Sequence, residues 1–465
     1  MNTRLLPPLI ATMAALSGCS LLIDLPADCS PEDCNGFVCN DAGTECLFVC
    51  ENNDQCADDY TCNSFSGAGT CVPLGCEPTT PIQPYFDGAS STLRVHTELN
   101  GDGSAFAAGF VDDSGKLRVQ IYGADGAPIG AIVDLEPPSE TPGRPSLTWA
   151  GSGWGVAWEA TGLAGNPGVE RERALLRYAF INPDGTIGTF PVTLWYTIGD
   201  ERSVDDPSIV WDPKAGLFVA VWSTQFDTGS DLFLMSFRAD GSSDDGETPI
   251  PHEDGIRITL SETDSFTPTL SLRTQPDQQP NLYDVVFREG NTRIRLGLRT
   301  VNANGEKALG EDVDLGLNAG NTQIVDFGYA TITTGNAAAF SEKSAAFTKA
   351  YRVQLLPTRG LARDDRFELA DGLDDVTGST IDSALTGEYA TLFTGIYDDS
   401  RGVYLTRFLD NGVPINATFE VTDDTIFDPE HPHLQALPGG YAIFYTTPDD
   451  GALGQFWTCE PPPEP

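Results

Sequence analysis

His431 and His433 stand two residues apart beside Glu430. On an extended strand that spacing puts both imidazoles on one face, next to a carboxylate, which is compatible with a metal ion. The same two slots hold Arg144 and Ser146 ahead of one apolar run, and Asp206 and Ser208 ahead of another. The pair therefore reads first as a position in a repeat. His96 and His252 complete the histidine supply. Gly151-Ser152-Gly153 lies between two strand-like runs and lacks the helix that a nucleophile elbow requires. Paired Asp and Glu residues are too abundant for any two to stand out as glycosidase acids.

The carboxylates are informative as a set. The chain carries a net charge of −42, which argues against nucleic acid or an anionic membrane face as ligands. Acids gather in four short stretches: Glu201 with Asp205 and Asp206; Glu262 with Asp264; Asp371 with Asp374 and Asp375; and Asp423, Asp424, Asp428 and Glu430. Two readings stay open: carboxylates that attract Ca²⁺ or a basic partner, and surface acidity that serves solubility. No Asp-x-Asp-x-Asp-Gly loop is present, so any calcium site is expected to be weak. Asp205, Asp206, Asp424, Asp428 and Glu430 are its candidate ligands, and no other cofactor is expected.

From Pro78 onward, short alternating apolar runs are separated by Gly, Asp, Asn and Pro, the pattern of an all-β chain. One unit is clear: Arg144–Trp149, Gly153–Trp158, Leu175–Phe180 and Val192–Leu194, with an Asn182-Pro183-Asp184-Gly185 turn before the last run. It reads as four antiparallel strands. It recurs from Asp206 to Thr259 and again from Thr267, with weaker copies around Ala337–Phe340 and Tyr389–Phe393 and an earlier one around Ala105–Phe110. Tight turns recur near Gly126, Gly185, Gly241, Gly305, Gly360 and Gly412. Their Asp-Gly and Asn-Gly pairs supply the positive φ that a tight hairpin turn needs. Four-stranded units repeated at this period make a β-propeller, and a sandwich would not reproduce one unit so often. The count expected is seven blades, with six or eight as alternatives. No Trp-Asp, kelch Gly-Gly or sialidase Asp-box signature is present.

The last unit, from Pro432 to Trp457, stops after three strands. Pro81–Phe86, ahead of the first complete unit, is expected to supply its fourth and close the ring. Cys76 would then sit just before that outer strand and Cys459 just after the third, so these two cysteines are expected to pair. The rest of the cysteine arithmetic agrees. All cysteines but Cys459 lie at or before Cys76, and setting Cys19 aside leaves an even number that an oxidising compartment could pair completely. Cys29, Cys34, Cys39 and Cys46, then Cys50, Cys56, Cys62 and Cys71, form two similar modules poor in apolar residues, with two bridges expected in each. Their connectivity stays open. Zinc is disfavoured because the modules hold no Cys-x-x-Cys pair and no histidine.

Leu16-Ser17-Gly18-Cys19 follows Arg4 and a mostly apolar run too short to span a bilayer as a helix. It resembles the lipobox of bacterial lipoproteins. That resemblance implies cleavage before Cys19, acylation of Cys19 and an outer-membrane or cell-surface destination, since Ser20 follows it. The run from Cys50 to Pro73 is similar to short Cys-rich repeats near the N-terminus of bacterial surface lipoproteins, which implies a stalk or small binding knob. The domain reading is therefore a signal peptide over 1–18, a lipidated tether over 19–28, Cys-rich modules over 29–76, a propeller over 77–459 and a Pro-rich tail over 460–465. The functional expectation is a monomeric extracytoplasmic binding or scaffold module rather than an enzyme. It would touch the membrane through its lipid alone and bind a glycan or envelope protein. The alternative is a polysaccharide hydrolase or lyase with its site over the channel mouth.

Overall fold

The computed structural model describes residues 60–63, 70–73, 75–86, 95–135, 140–164, 171–199, 201–243, 255–259, 264–273, 279–290, 294–308, 313–315, 323–332, 335–343, 348–355, 366–369, 373–383, 387–397, 400–409 and, short gaps apart, 412–459. Cys19, the cysteines from Cys29 to Cys56, Asp424 and the tail lie outside the described residues. All regular structure described is β.

A small hairpin, β1 (Tyr60–Asn63) with β2 (Thr70–Pro73), sets Cys62 directly opposite Cys71 in its backbone register. Next come β3 (Cys76–Pro78) and β4 (Gln83–Phe86), which belong to the final sheet. The first complete sheet is β5 (His96–Leu99), β6 (Ala105–Val111), β7 (Leu117–Gly123) and β8 (Pro128–Asp134). The second is β9 (Thr141–Trp149), β10 (Trp154–Ala164), β11 (Arg171–Ile181) and β12 (Ile187–Tyr196). The third is β13 (Asp205–Asp212), β14 (Leu217–Phe226), β15 (Gly229–Phe237) and β16 (Ile256–Arg257). A fourth holds β17 (Ser265–Arg273), β18 (Leu282–Glu289), β19 (Arg295–Val301) and β20 (Val313–Asp314). Then follow β21 (Gln323–Ile332), β22 (Gly335–Lys343), β23 (Thr348–Leu355) and β24 (Arg366–Glu368). The sixth sheet is β25 (Asp374–Ser383), β26 (Glu388–Tyr397), β27 (Ser400–Leu409) and β28 (Phe419–Glu420). The last begins with β29 (Glu430–Leu437), β30 (Gly440–Thr447) and β31 (Gly451–Cys459).

Each of the six complete units is a four-stranded antiparallel meander, and the last sheet has five strands because β3 and β4 both pair with β31. The first strand of each sheet packs against the first strand of the next, and β29 packs against β5, so the inner strands run round an axis as in a β-propeller. The strand pattern places the start of the closing strand at Pro81; pairing begins earlier, at Cys76. Cys76 faces Cys459 across the ladder and is disulfide-bonded to it, with Cα atoms 3.9 Å apart.

Between neighbouring sheets lies apolar packing. The second and third sheets meet through Tyr178, Trp195, Phe218, Trp222, Phe233 and Phe237, all buried. Trp195 and Trp222 stand 5.3 Å apart and tilted, an arrangement that adds to plain area burial. In the first four sheets the turn before the outer strand packs against the preceding sheet. Gly126, at φ 80° in the β7–β8 turn, lies so close to Phe456 that a Cβ there would come within 2.7 Å of the ring, so both conformation and contact require glycine.

Candidate functional site

Each inner strand presents one ladder edge to the axis, and an edge of unpaired N–H groups has to be satisfied. Here the preceding inner strand supplies a side chain. Ser146 Oγ accepts from the Ile209 N–H at 3.2 Å, and Ser208 Oγ from the Leu270 N–H at 2.9 Å. His433 Nε2 accepts from the Thr97 N–H at 3.1 Å and His96 Nδ1 from the Leu147 N–H at 3.2 Å. These four occupy one repeat position. Gly328 holds that position on β21, where a Cβ would meet the Thr380 backbone at 2.8 Å, so the strands approach too closely for a side chain. One level further along, Glu98 Oε1 accepts from the Trp149 N–H at 3.4 Å and Asp382 Oδ2 from the Ala436 N–H at 2.8 Å.

The strands enclose an axial cavity of about 440 Å³, lined by residues of all these inner strands. Its wall is uneven. Ser146, Ser208, Thr269 and Ser271 line one arc, whereas β25, β29 and β5 bring Asp382, His433, His96 and Glu98 to the other. The His96 and His433 rings lie 5.5 Å apart. Burial lowers His96 to a pKa of about 4, so the ring is neutral at neutral pH. Burial first and the nearby Asp382 charge second push Glu98 up to about 8, and burial raises Asp382 to about 6. Beside Asp206, Glu159 is raised to about 7 by burial first and the Asp206 charge second, and it accepts from the Asp206 N–H at 2.9 Å.

Of the sequence candidates, Asp205 and Asp206 enter β13, while Asp428 and Glu430 enter β29. Asp206 pairs with Arg144 at 3.3 Å, and Asp428 with Arg401 at 3.0 Å, Arg401 also holding Asp375 at 2.6 Å. Among the described residues no three His, Cys, Asp or Glu side chains converge as a metal site. The shared face expected of His431 and His433 does not form. Register shifts between Glu430 and His433, with His431 at φ 49°, so a bulge interrupts the alternation. His433 lines the cavity, and His431 Nε2 lies 3.9 Å from Glu430 Oε2. Asp206 and Thr267 show the same positive φ before Pro207 and Pro268, which makes the bulge a repeat feature of strand entry. His96, Glu98 and Asp382 do not stand out as a group in the sequence. A signal is nevertheless present: His96 and His433 share the repeat slot that holds serine in two complete units.

The raised Glu98 pKa has a measurable consequence. A carboxyl raised on folding contributes stability that is complete below its unfolded value of about 4.5 and is lost as pH rises through about 8. His96 acts in the opposite sense, but its contribution is complete above 6.5. Between pH 6.5 and 9, the Tm of the native chain should fall relative to Glu98→Gln, whose amide can still accept from Trp149. Parallel melting curves over that range would show that Glu98 is not raised.

No family model matches the chain, and no curated protein matches it. Among solved structures, it is similar to the catalytic domain of a GH62 α-L-arabinofuranosidase from Coprinopsis cinerea. That match is 14% identical, covers 54% of this chain and 90% of the other, and has a TM-score of 0.32. The GH43 endo-arabinanase from Bacillus licheniformis is 12% identical over 55% of this chain and 93% of its own, with a TM-score of 0.29. AofleA from Arthrobotrys oligospora is 12% identical over 77% and 92%, with a TM-score of 0.42.

Proposed function

We propose that this chain is a lipid-anchored, extracytoplasmic binding module whose ligand enters the axial cavity of a seven-bladed propeller, the five-stranded sheet counting as one blade. The supporting observation is the way the cavity wall is built. Its carboxyls and imidazoles are held by backbone N–H groups of the next strand, so they form a rigid, preorganised polar surface. Asp382 is tied most closely, accepting from Ala436 N–H, Gln435 Nε2 and Ser383 N–H. A binding wall benefits from such fixing, because little side-chain freedom is left to lose on association.

The anchor is Cys19, on the lipobox resemblance. The Cys-rich modules act as a stalk, and the acidic connections give at most millimolar calcium affinity. Cys19→Ala should abolish lipid labelling and release the protein from the membrane fraction; unchanged labelling would refute the anchor. Affinity capture from envelope extracts, with and without calcium, tests the binding reading. That reading fails if nothing is retained under either condition.

One observation favours hydrolysis as a second reading. At neutral pH Glu98 keeps its proton while Asp382 does not, the division of roles that a glycosidase pair needs. A screen for new reducing ends on polysaccharides, repeated with Glu98→Gln, separates the two. Turnover that disappears in the variant would favour the enzyme.

A further inference from the structure

From the uneven wall of the cavity we infer that the arc formed by Asp382, His433, His96 and Glu98 binds the hydroxyl groups of a neutral sugar, the end of a glycan entering the channel. This rests on the binding-module reading and names its ligand class. The inter-strand ties require only an acceptor. Ser146 and Ser208 show that a hydroxyl is enough, at 3.2 and 2.9 Å. Three consecutive inner strands nevertheless carry four titratable side chains on one side of the same cavity, and two of them, His96 and His433, stand in the slot where a hydroxyl serves elsewhere. The ladder does not account for that excess.

The atoms left over suit a diol. His96 accepts the Leu147 N–H at Nδ1, so its neutral ring carries its proton on Nε2, which has no partner among the described residues. Glu98 accepts Trp149 N–H with one oxygen and keeps the second without a partner among the described residues. Asp382 is a carboxylate with acceptor capacity beyond its three bonds. Donor and acceptor thus stand side by side, as vicinal hydroxyls require. The raised Glu98 pKa strengthens the match, because a protonated carboxyl donates as well as accepts.

Other ligand classes fit less well. An anion would face Glu98, Asp382 and a net charge of −42, with the mouth cation Arg144 already paired to Asp206. An organic cation needs acceptors only and would leave the His96 N–H facing a positive charge. A cavity of about 440 Å³ lies within the usual range for small-molecule sites, and the serine and threonine hydroxyls among its other, partly apolar, lining suit the same ligand.

The test is calorimetric titration of the full chain with a panel of neutral mono- and oligosaccharides, with uronic acids and simple amines in parallel. At least one neutral sugar should saturate. His96→Ser, which keeps the tie as Ser146 does, should weaken it at least tenfold while leaving the thermal melt in place. The inference is overturned if no neutral sugar saturates at millimolar concentration, if a uronic acid or an amine binds more tightly, or if His96→Ser binds like the native chain. Should sugars fail while envelope extracts still yield a retained component, this inference falls and the binding-module reading stands.

Discussion

Replacing Cys76 and Cys459 together by serine should lower stability by up to about 6 kcal/mol, because the bridge closes a loop whose ends are 383 residues apart. That figure follows from the chain-entropy model, and residual order in the unfolded chain reduces it. For a domain of this size the change corresponds to a fall in Tm of up to roughly 7 °C. Far-ultraviolet circular dichroism should stay unchanged below the transition, since β3 keeps its ladder partners Thr458 and Trp457. In the native chain, peptide mapping without reduction should recover the Cys76–Cys459 cross-link. A melt identical to the native one, or Cys459 recovered joined to another cysteine, would refute the role of this bridge in closing the ring.

The bridge matters because of where the chain ends fall. In the six complete sheets the outer strand follows the third in sequence. In the last sheet the outer strand comes from the other end of the domain, so no hairpin turn can hold it. Residues around this seam supply the missing connection. Thr79 N–H donates to the Phe456 carbonyl at 2.8 Å, and Thr80 Oγ1 accepts from Phe456 N–H at 3.0 Å. A neutral hydrogen bond typically contributes on the order of 1 kcal/mol net, so the covalent link dominates.

The seam is legible in the amino-acid sequence for a physical reason. Turn chemistry is local. Asn182-Pro183-Asp184-Gly185 and Asp240-Gly241 mark hairpins through glycine's positive φ and an Asp that accepts from the residue two places on, as Asp184 does from Thr186. Strand alternation is local too, so the repeat period, the four strands of each unit and the missing fourth strand all follow from it. What does not follow is whatever depends on the neighbouring sheet. The Asp206 and His431 bulges interrupt an alternation that looks regular in one dimension, and they remove the expected histidine face. His96 and Glu98 share β5, but Asp382 comes from a distant repeat and joins them only when the ring closes through β29; burial then perturbs all three, and the Asp382 charge adds to the shift of Glu98. Even so, the slot comparison that explains His433 as a repeat position applies equally to His96, and the sufficiency of serine in other units points to the same arc.

Arg407→Ala should be the most damaging single substitution in the described core, costing about 3–5 kcal/mol. Arg407 is 1% exposed and its guanidinium lies 2.8 Å from Glu388, itself 4% exposed. Glu388 also accepts from the Tyr441 hydroxyl at 2.9 Å. Arg407 donates in addition to the Gly75 carbonyl at 3.0 Å, one residue before the disulfide. The network thus joins β26 and β27 to β30 and to the start of the closing strand. Alanine would leave Glu388 as a buried carboxylate with one neutral hydroxyl in place of its cation, and the desolvation cost already incurred would stand uncompensated. Substituting all three side chains, as Arg407→Met, Glu388→Leu and Tyr441→Phe together, should cost less than Arg407→Ala alone, because no buried charge is then stranded. Denaturant unfolding of the single and triple variants measures this. A single variant within about 1 kcal/mol of the native chain, or a triple variant worse than the single, would show that the pair is not the second fastening of the seam. Because Gly75 adjoins Cys76, combining Arg407→Ala with the double serine variant should give less than the sum of the separate losses, since both changes loosen the same end of β3.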